Sequence, residues 1–317
     1  MLVLSVGLVV LGIALLYWGG EVLVDSSIAL ARHFGLSPLA IGLTVVAFAT
    51  SAPELAAALT ATLLGAPDLA LGNAVGSNIA NVGLILGATA LFFALPATGR
   101  FVRRELAFML VVTVILYPVL ATSGSISRLE GVALFGILVV FLHGMLRDPG
   151  SQQTWDEAEE GEDDPLWKSL MGVALGIVLL VGGAKALVDG ASDIALALGV
   201  PERVIGLTLV ALGTSLPELA ASIAAGRKNQ ADLVLGNVVG SNIFNLLCIL
   251  GLTSIVVPIR VAPDIVRLDF WVMLGISILL AAFLGLRGKL SRGEGAVLLA
   301  LYVGYSIYLY LPSSATP

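Results

Sequence analysis

One 46-residue segment occurs twice in this chain. GLTVVAFATSAPELAAALTATLLGAPDLALGNAVGSNIANVGLILG fills residues 42–87, and GLTLVALGTSLPELAASIAAGRKNQADLVLGNVVGSNIFNLLCILG fills residues 206–251. The offset is a constant 164, no gap is needed, and 27 of the 46 positions are identical. The same offset links Asp25 to Asp189, Arg103 to Arg267 and Glu130–Gly131 to Glu294–Gly295, so the duplication extends over whole halves. The repeat lies in a chain that is 58% hydrophobic and only 12% charged, whereas soluble domains average about 25% charged residues. Apolar runs of about 20 residues or more suit helices rather than the strands of a membrane barrel. The expectation is therefore an all-α polytopic membrane protein.

Ten spans follow from the apolar runs, at 2–31, 38–64, 68–94, 101–122, 127–146, 167–196, 202–226, 231–257, 264–286 and 291–311. They divide the chain into a five-helix repeat at 1–146, a loop at 147–166, a second repeat at 167–311 and a tail at 312–317. Because five is odd, the second repeat must cross the membrane upside down, giving two inverted halves about a pseudo-two-fold axis in the membrane plane.

The loop carries most of the acidity. WDEAEEGEDD, at 155–164, holds seven acidic residues, and without them the net charge moves from −6 to +1. It reads as a solvated linker, since it lacks the spaced ligands and turn glycine of an EF-hand loop. Basic residues set the orientation. With the N-terminus outside, eleven Lys and Arg fall on the cytoplasmic side and four on the outer side. Both termini are then expected outside a cell (inner) membrane, with the acidic loop in the cytoplasm. The first apolar stretch lacks a basic start and reads as a retained span. Cys248, the single cysteine, reads as an inert core thiol. Membrane lipids are the expected surroundings; no nucleic-acid partner and no cofactor are expected, and the oligomeric state stays open, a monomer included.

The duplicated segments place polar residues where apolar ones are the rule, and such residues are costly and usually functional. In the second span, Thr50 and Glu54 share a helix face, with Ser51 and Pro53 between them. Pro53 has no N–H for the carbonyl of residue 49, so carbonyls from about Ala47 to Thr50 are expected to loosen. The seventh span repeats the pattern with Ala211, Thr214, Ser215, Pro217 and Glu218. In the third span, Asn73, Ser77 and Asn81 form a stripe; Asn237, Ser241 and Asn245 form its counterpart in the eighth. Flanking Gly72, Gly76, Gly236 and Gly240 are expected to admit a neighbouring helix, and local unwinding is expected around Gly76-Ser77-Asn78.

These groups are all oxygen donors, which suits hard cations such as Na+, Ca2+, Mg2+ or Mn2+. Two glutamates supply a charge of −2, enough to balance one Ca2+ or two Na+. Other intramembrane polar groups have structural readings: Lys185 with Asp189 as an i,i+4 pair, and Glu21 and Asp25 snorkelling toward a helix end. An intramembrane enzyme would need a nucleophile–base pair or an H-E-x-x-H motif, and the sequence has neither, so no enzymatic activity is expected.

At GLTVVAFATSAPEL with GNAVGSNIANVG, and again at GLTLVALGTSLPEL with GNVVGSNIFNLL, the chain resembles the calcium/cation antiporter superfamily, and within it the prokaryotic sodium/calcium exchangers. The resemblance covers nearly the whole chain. It implies that Glu54 and Glu218 are the central cation ligands and that Ser51, Ser77, Ser215 and Ser241 add side-chain oxygens. It also implies that Thr50, Thr214, Ala47 and Ala211 add mainly backbone carbonyls, and that Asn81 and Asn245 complete the centre. Potassium-dependent relatives carry Asp where Asn245 stands, and the cation/proton exchangers resemble Gly-Asn-x-x-Glu-His where this chain has Thr-Ser-x-Pro-Glu. The expected function is thus sodium/calcium antiport by alternating access, electrogenic if three Na+ exchange for one Ca2+. Exchange of calcium or another divalent cation for protons is the alternative.

Overall fold

The long apolar runs form long helices. The structure, a computed structural model, describes residues 2–66, 68–122, 124–151, 165–200, 205 and 211–310. Its main helices are α1 (Leu2–His33), α2 (Pro38–Leu63), α3 (Leu69–Phe92), α4 (Gly99–Thr122), α5 (Arg128–Leu146), α6 (Leu166–Ala197), α7 (Leu216–Arg227), α8 (Ala231–Val256), α9 (Ile265–Arg287) and α10 (Arg292–Tyr310). Among the described residues, eight of these, all but α7 and α10, are long and apolar enough to cross a membrane. The acidic run 155–164 and most of 201–210 lie outside the described residues.

Burial sorts the helices. The apolar stretch of α8 is 100% buried and that of α3 72%, against 22–28% for α1, α5 and α6. A helix apolar on every side must be enclosed by others, so α8 and α3 form the centre. The outer helices present Val3, Leu4, Val140 and Val178 outward, as a lipid-facing surface requires.

The two longest helices, α1 and α6, each 32 residues, run antiparallel and extend about 48 Å at the usual helical rise. Glycine permits their close contact: a Cβ at Gly12 would stand 2.5 Å from the backbone N of Leu187, and one at Gly183 would stand 2.8 Å from that of Leu16. Close backbone approach through small residues is how helices associate where lipid removes the hydrophobic drive. The expected Lys185–Asp189 pair forms at 2.9 Å. Glu21 and Asp25 make specific partners, Glu21 with Arg227 at 3.1 Å and Lys228 at 3.0 Å, and Asp25 with Lys228 at 2.6 Å.

Among the described residues four short strands, invisible in the sequence because two residues carry no period, tie the halves together. Strands β1 (Leu95–Pro96), β2 (Ser125–Ile126), β3 (Ile259–Arg260) and β4 (Lys289–Leu290) pair as β1 with β4 and β2 with β3. Leu95 stands opposite Leu290, and Ile126 opposite Ile259. The offset of 164 turns the first pair into the second with the partners exchanged. The same offset relates two helix starts. The Ser127 amide donates to Glu130 at 2.7 Å and the Ser291 amide to Glu294 at 2.7 Å, so each Glu reaches back to the residue preceding its helix.

Candidate cation-binding site

The two Thr-Ser-x-Pro-Glu copies adopt different backbones. In the first, the helix runs unbroken from Ala47 to Leu63 with Pro53 inside it. The departure from α geometry comes a turn earlier, as a π turn at Gly42–Val46. The Thr50 hydroxyl lies 3.1 Å from the Val46 carbonyl and 3.4 Å from that of Ala47. In the second copy the helix does break. A short turn, Ala211–Gly213, ends where the Ser215 amide bonds the Leu212 carbonyl at 3.1 Å, and α7 restarts at Leu216. Pro217 then sits in a first turn, where its missing N–H costs nothing.

In α3 and α8 the irregularity lies beyond Gly76-Ser77-Asn78. That segment remains α-helical, and π turns follow at Asn81–Leu86 and Asn245–Ile249. A π turn inserts a residue into the ladder and often marks a functional site. Each begins on an asparagine of the predicted stripe.

Those asparagines are held by two others that helical-face reasoning passed over. Asn81 Nδ2 donates to Asn242 Oδ1 at 3.0 Å, and Asn245 Nδ2 donates to Asn78 Oδ1 at 2.9 Å. These bonds exchange under the offset of 164. Asn78 also donates to the Asn242 carbonyl at 3.3 Å. With their amino groups spent, Asn81 and Asn245 leave Oδ1 buried and without a partner. The signal for Asn78 and Asn242 was their identity at matched positions inside the repeat.

The carboxylates are equally enclosed, Glu54 1% and Glu218 2% exposed. Glu218 lies close enough to Glu54 for their charges to interact, with the hydroxyls of Thr50 and Ser51 beside it. Glu54 Oε2, Glu218 Oε2, Ser51 Oγ and Ser241 Oγ, like the two asparagine oxygens, have no hydrogen-bond partner. Buried polar atoms are rarely left so, and six oxygens from the predicted set share that condition. Thr50 reaches across the halves to Asn237 Oδ1 at 3.2 Å, and Asn237 donates to Ser222 at 3.3 Å.

A cavity of about 630 Å³ touches one side of this set, with Asn73, Ser77 and Ser215 in its wall and Asp269, Tyr302 and Tyr305 lining it as well. Nothing among the described residues lies within 4 Å of a Cβ built on Gly72 or Gly76. Their counterparts are closed: a Cβ at Gly236 would meet the Leu39 carbonyl at 2.7 Å, and one at Gly240 would meet Ala47 Cβ at 2.7 Å.

The sequence profile described as "Sodium/calcium exchanger protein" matches this chain twice, over residues 4–146 and 168–311. The chain belongs to the sodium/calcium exchanger family. The exchanger is 38% identical to CaxA of Alkalimonas amylolytica over 95% of this chain and 97% of that protein. It is 33% identical to the sodium/calcium exchanger MaX1 of Methanosarcina acetivorans, covering 96% of this chain and 97% of MaX1. A solved structure of the sodium-calcium exchanger NCX_Mj, soaked with 10 mM Na+ and zero Ca2+, superposes with a TM-score of 0.85 at 33% identity, covering 98% of this chain and 100% of that one.

Proposed function

We propose that this exchanger moves Ca2+ against Na+ by alternating access through one central site. The observation that carries the reading is the meeting of Glu54 and Glu218 from the two halves among buried oxygens with no partner. A pair of buried like charges persists only when something compensates it, and one Ca2+ or two Na+ supply the balancing charge. Ligands would come from Glu54, Glu218, Ser51, Ser77, Ser215, Ser241, Asn81 and Asn245. Thr50, Thr214, Ala47 and Ala211 would contribute backbone oxygen, with Asn73 and Asn237 at the margins. Exchange of three Na+ for one Ca2+ would move one net charge per cycle. An empty site retains its two charges and resists crossing the low-dielectric core, which favours exchange over leak.

In this reading the ten helices form two inverted five-helix repeats, 1–146 and 167–311, joined by a cytoplasmic loop at 147–166, with a tail at 312–317. The exchanged strand pairs and amide bonds support that relation. With both termini outside, the cavity opens outward and the closed glycines Gly236 and Gly240 seal the cytoplasmic route.

The test is Glu54→Gln and Glu218→Gln, each assayed for Ca2+ uptake into proteoliposomes. Removing one partner of a buried charged set costs about 3–5 kcal/mol, so each variant should lose Ca2+ affinity by a hundredfold or more. Retained transport in both would refute a shared site.

A further inference from the structure

We infer that Asp269 is a recruiting site for cations in the cavity wall, separate from the central oxygens, gathering Ca2+ and Na+ from the side to which the cavity opens. The inference rests on the proposed cation transport through Glu54 and Glu218.

Asp269 ends a π turn, Ile265–Asp269, at the start of α9. It lines the same cavity as Asn73, Ser77 and Ser215. Its partner is neutral: the Tyr305 hydroxyl donates to Asp269 Oδ1 at 2.8 Å. One hydroxyl proton serves one carboxylate oxygen and leaves the other free to accept. Among the described residues no Lys or Arg forms an ion pair with Asp269, including Arg267 two positions earlier. Asp264 adds a charge of the same sign close enough to act on it. The carboxylate thus faces the cavity with its charge uncompensated.

The other half shows what this site would look like if it were only structural. The offset of 164 makes Glu105 the counterpart of Asp269 and Phe141 the counterpart of Tyr305. Glu105 is 3% exposed and lies 3.7 Å from Arg104. Phe141 stacks on Phe108 with ring centroids 4.1 Å apart and has no hydroxyl to offer. One half holds a neutralised, enclosed carboxylate; the other holds an open, unneutralised one on the route to the central oxygens. A charge in a cleft with low-dielectric walls concentrates counter-ions there. Because Coulomb energy scales with ionic charge, the enrichment of Ca2+ is the square of that of Na+.

The test compares wild type with Asp269→Asn in vesicles of both orientations, reading half-saturating Ca2+ and Na+ at each face. At the cavity face, half-saturating Ca2+ should rise about threefold to tenfold, with Na+ shifting by about the square root of that factor. The maximal rate should fall by less. Raising salt toward 0.5 M should shrink the difference, since screening shortens the reach of the charge. Asp269→Glu keeps the charge and should stay near wild type. Tyr305→Phe removes the hydrogen bond alone and should shift half-saturating Ca2+ by less than twofold. A wild-type Ca2+ response in Asp269→Asn, an equal shift at both faces, or a tenfold loss in Tyr305→Phe would overturn the inference. Absence of Na+-dependent Ca2+ transport in the wild type would instead overturn the proposed function on which it rests.

Discussion

Asn242→Leu should weaken Ca2+ binding without touching any proposed ligand. The two side chains share one branching pattern, so the change deletes the hydrogen bonds at that point, while the bulkier methyl groups of Leu add an overpacking cost that thermal unfolding reports. It deletes the acceptor of Asn81 Nδ2, a 3.0 Å bond, and a weak 3.5 Å contact from Asn242 to Met109 Sδ. Asn81 is 1% exposed, so its amino group finds no water. An orphaned buried donor costs about 1–3 kcal/mol. If Asn81 escapes that cost by turning its amide, Oδ1 no longer points into the site. At one decade per 1.4 kcal/mol, half-saturating Ca2+ should rise by about 5- to 150-fold. The backbone carbonyl of Asn242 survives, so Asn78 and, through it, Asn245 remain held. Asn78→Leu strikes the other half: it orphans Asn245 and also loses the 3.3 Å bond to the Asn242 carbonyl, so it should cost at least as much. Asn78 and Asn242 share a hydrogen bond, so the effects of the double variant should depart from additivity. The assay is Ca2+ uptake in proteoliposomes, paired with thermal unfolding in detergent. A lowered melting temperature with wild-type half-saturation in both variants would refute the positioning role.

Two further predictions address the scaffold. Gly12→Val places a Cβ where Leu187 N and Gly183 O already stand at 2.5 and 2.8 Å. Overpacking of about 1–3 kcal/mol should lower the melting temperature, while Gly7→Val, with nothing within 4 Å, should not. Ser127→Ala and Ser291→Ala each remove a hydroxyl that donates to the Glu three residues on, at 2.7 and 2.8 Å, a contact worth about 1 kcal/mol, and their costs should be similar because the offset of 164 pairs them. A large disparity in thermal unfolding would contradict the structural equivalence of the two halves.

The span positions were legible because apolar runs of this length have few other solutions, and helix bounds such as 38–64 against Pro38–Leu63 differ by a residue or two. The polar positions that the structure brings together were legible because duplication marks them twice. What escaped had weak or ambiguous local signals. Two-residue strands have no periodicity. Asn78 and Asn242 lie one residue off the i, i+4 stripe, and a face-based search ignores them. The break at Thr214–Ser215 and its absence at Thr50–Ser51 come from the same Thr-Ser-x-Pro-Glu pattern, so local sequence alone does not separate them. Proline marked the helix, while the departure from α geometry falls earlier, at Gly42–Val46.

The central claim is that sodium drives calcium through one charged site. Its most direct measurement is Ca2+ uptake into Na+-loaded proteoliposomes, compared with K+-loaded vesicles and with an imposed pH gradient, while membrane current is recorded. The account predicts uptake that requires internal Na+, ignores K+ and the pH gradient, and carries one net charge for each Ca2+ exchanged. Uptake indifferent to Na+ and driven by the pH gradient would contradict it and assign the chain to proton exchange.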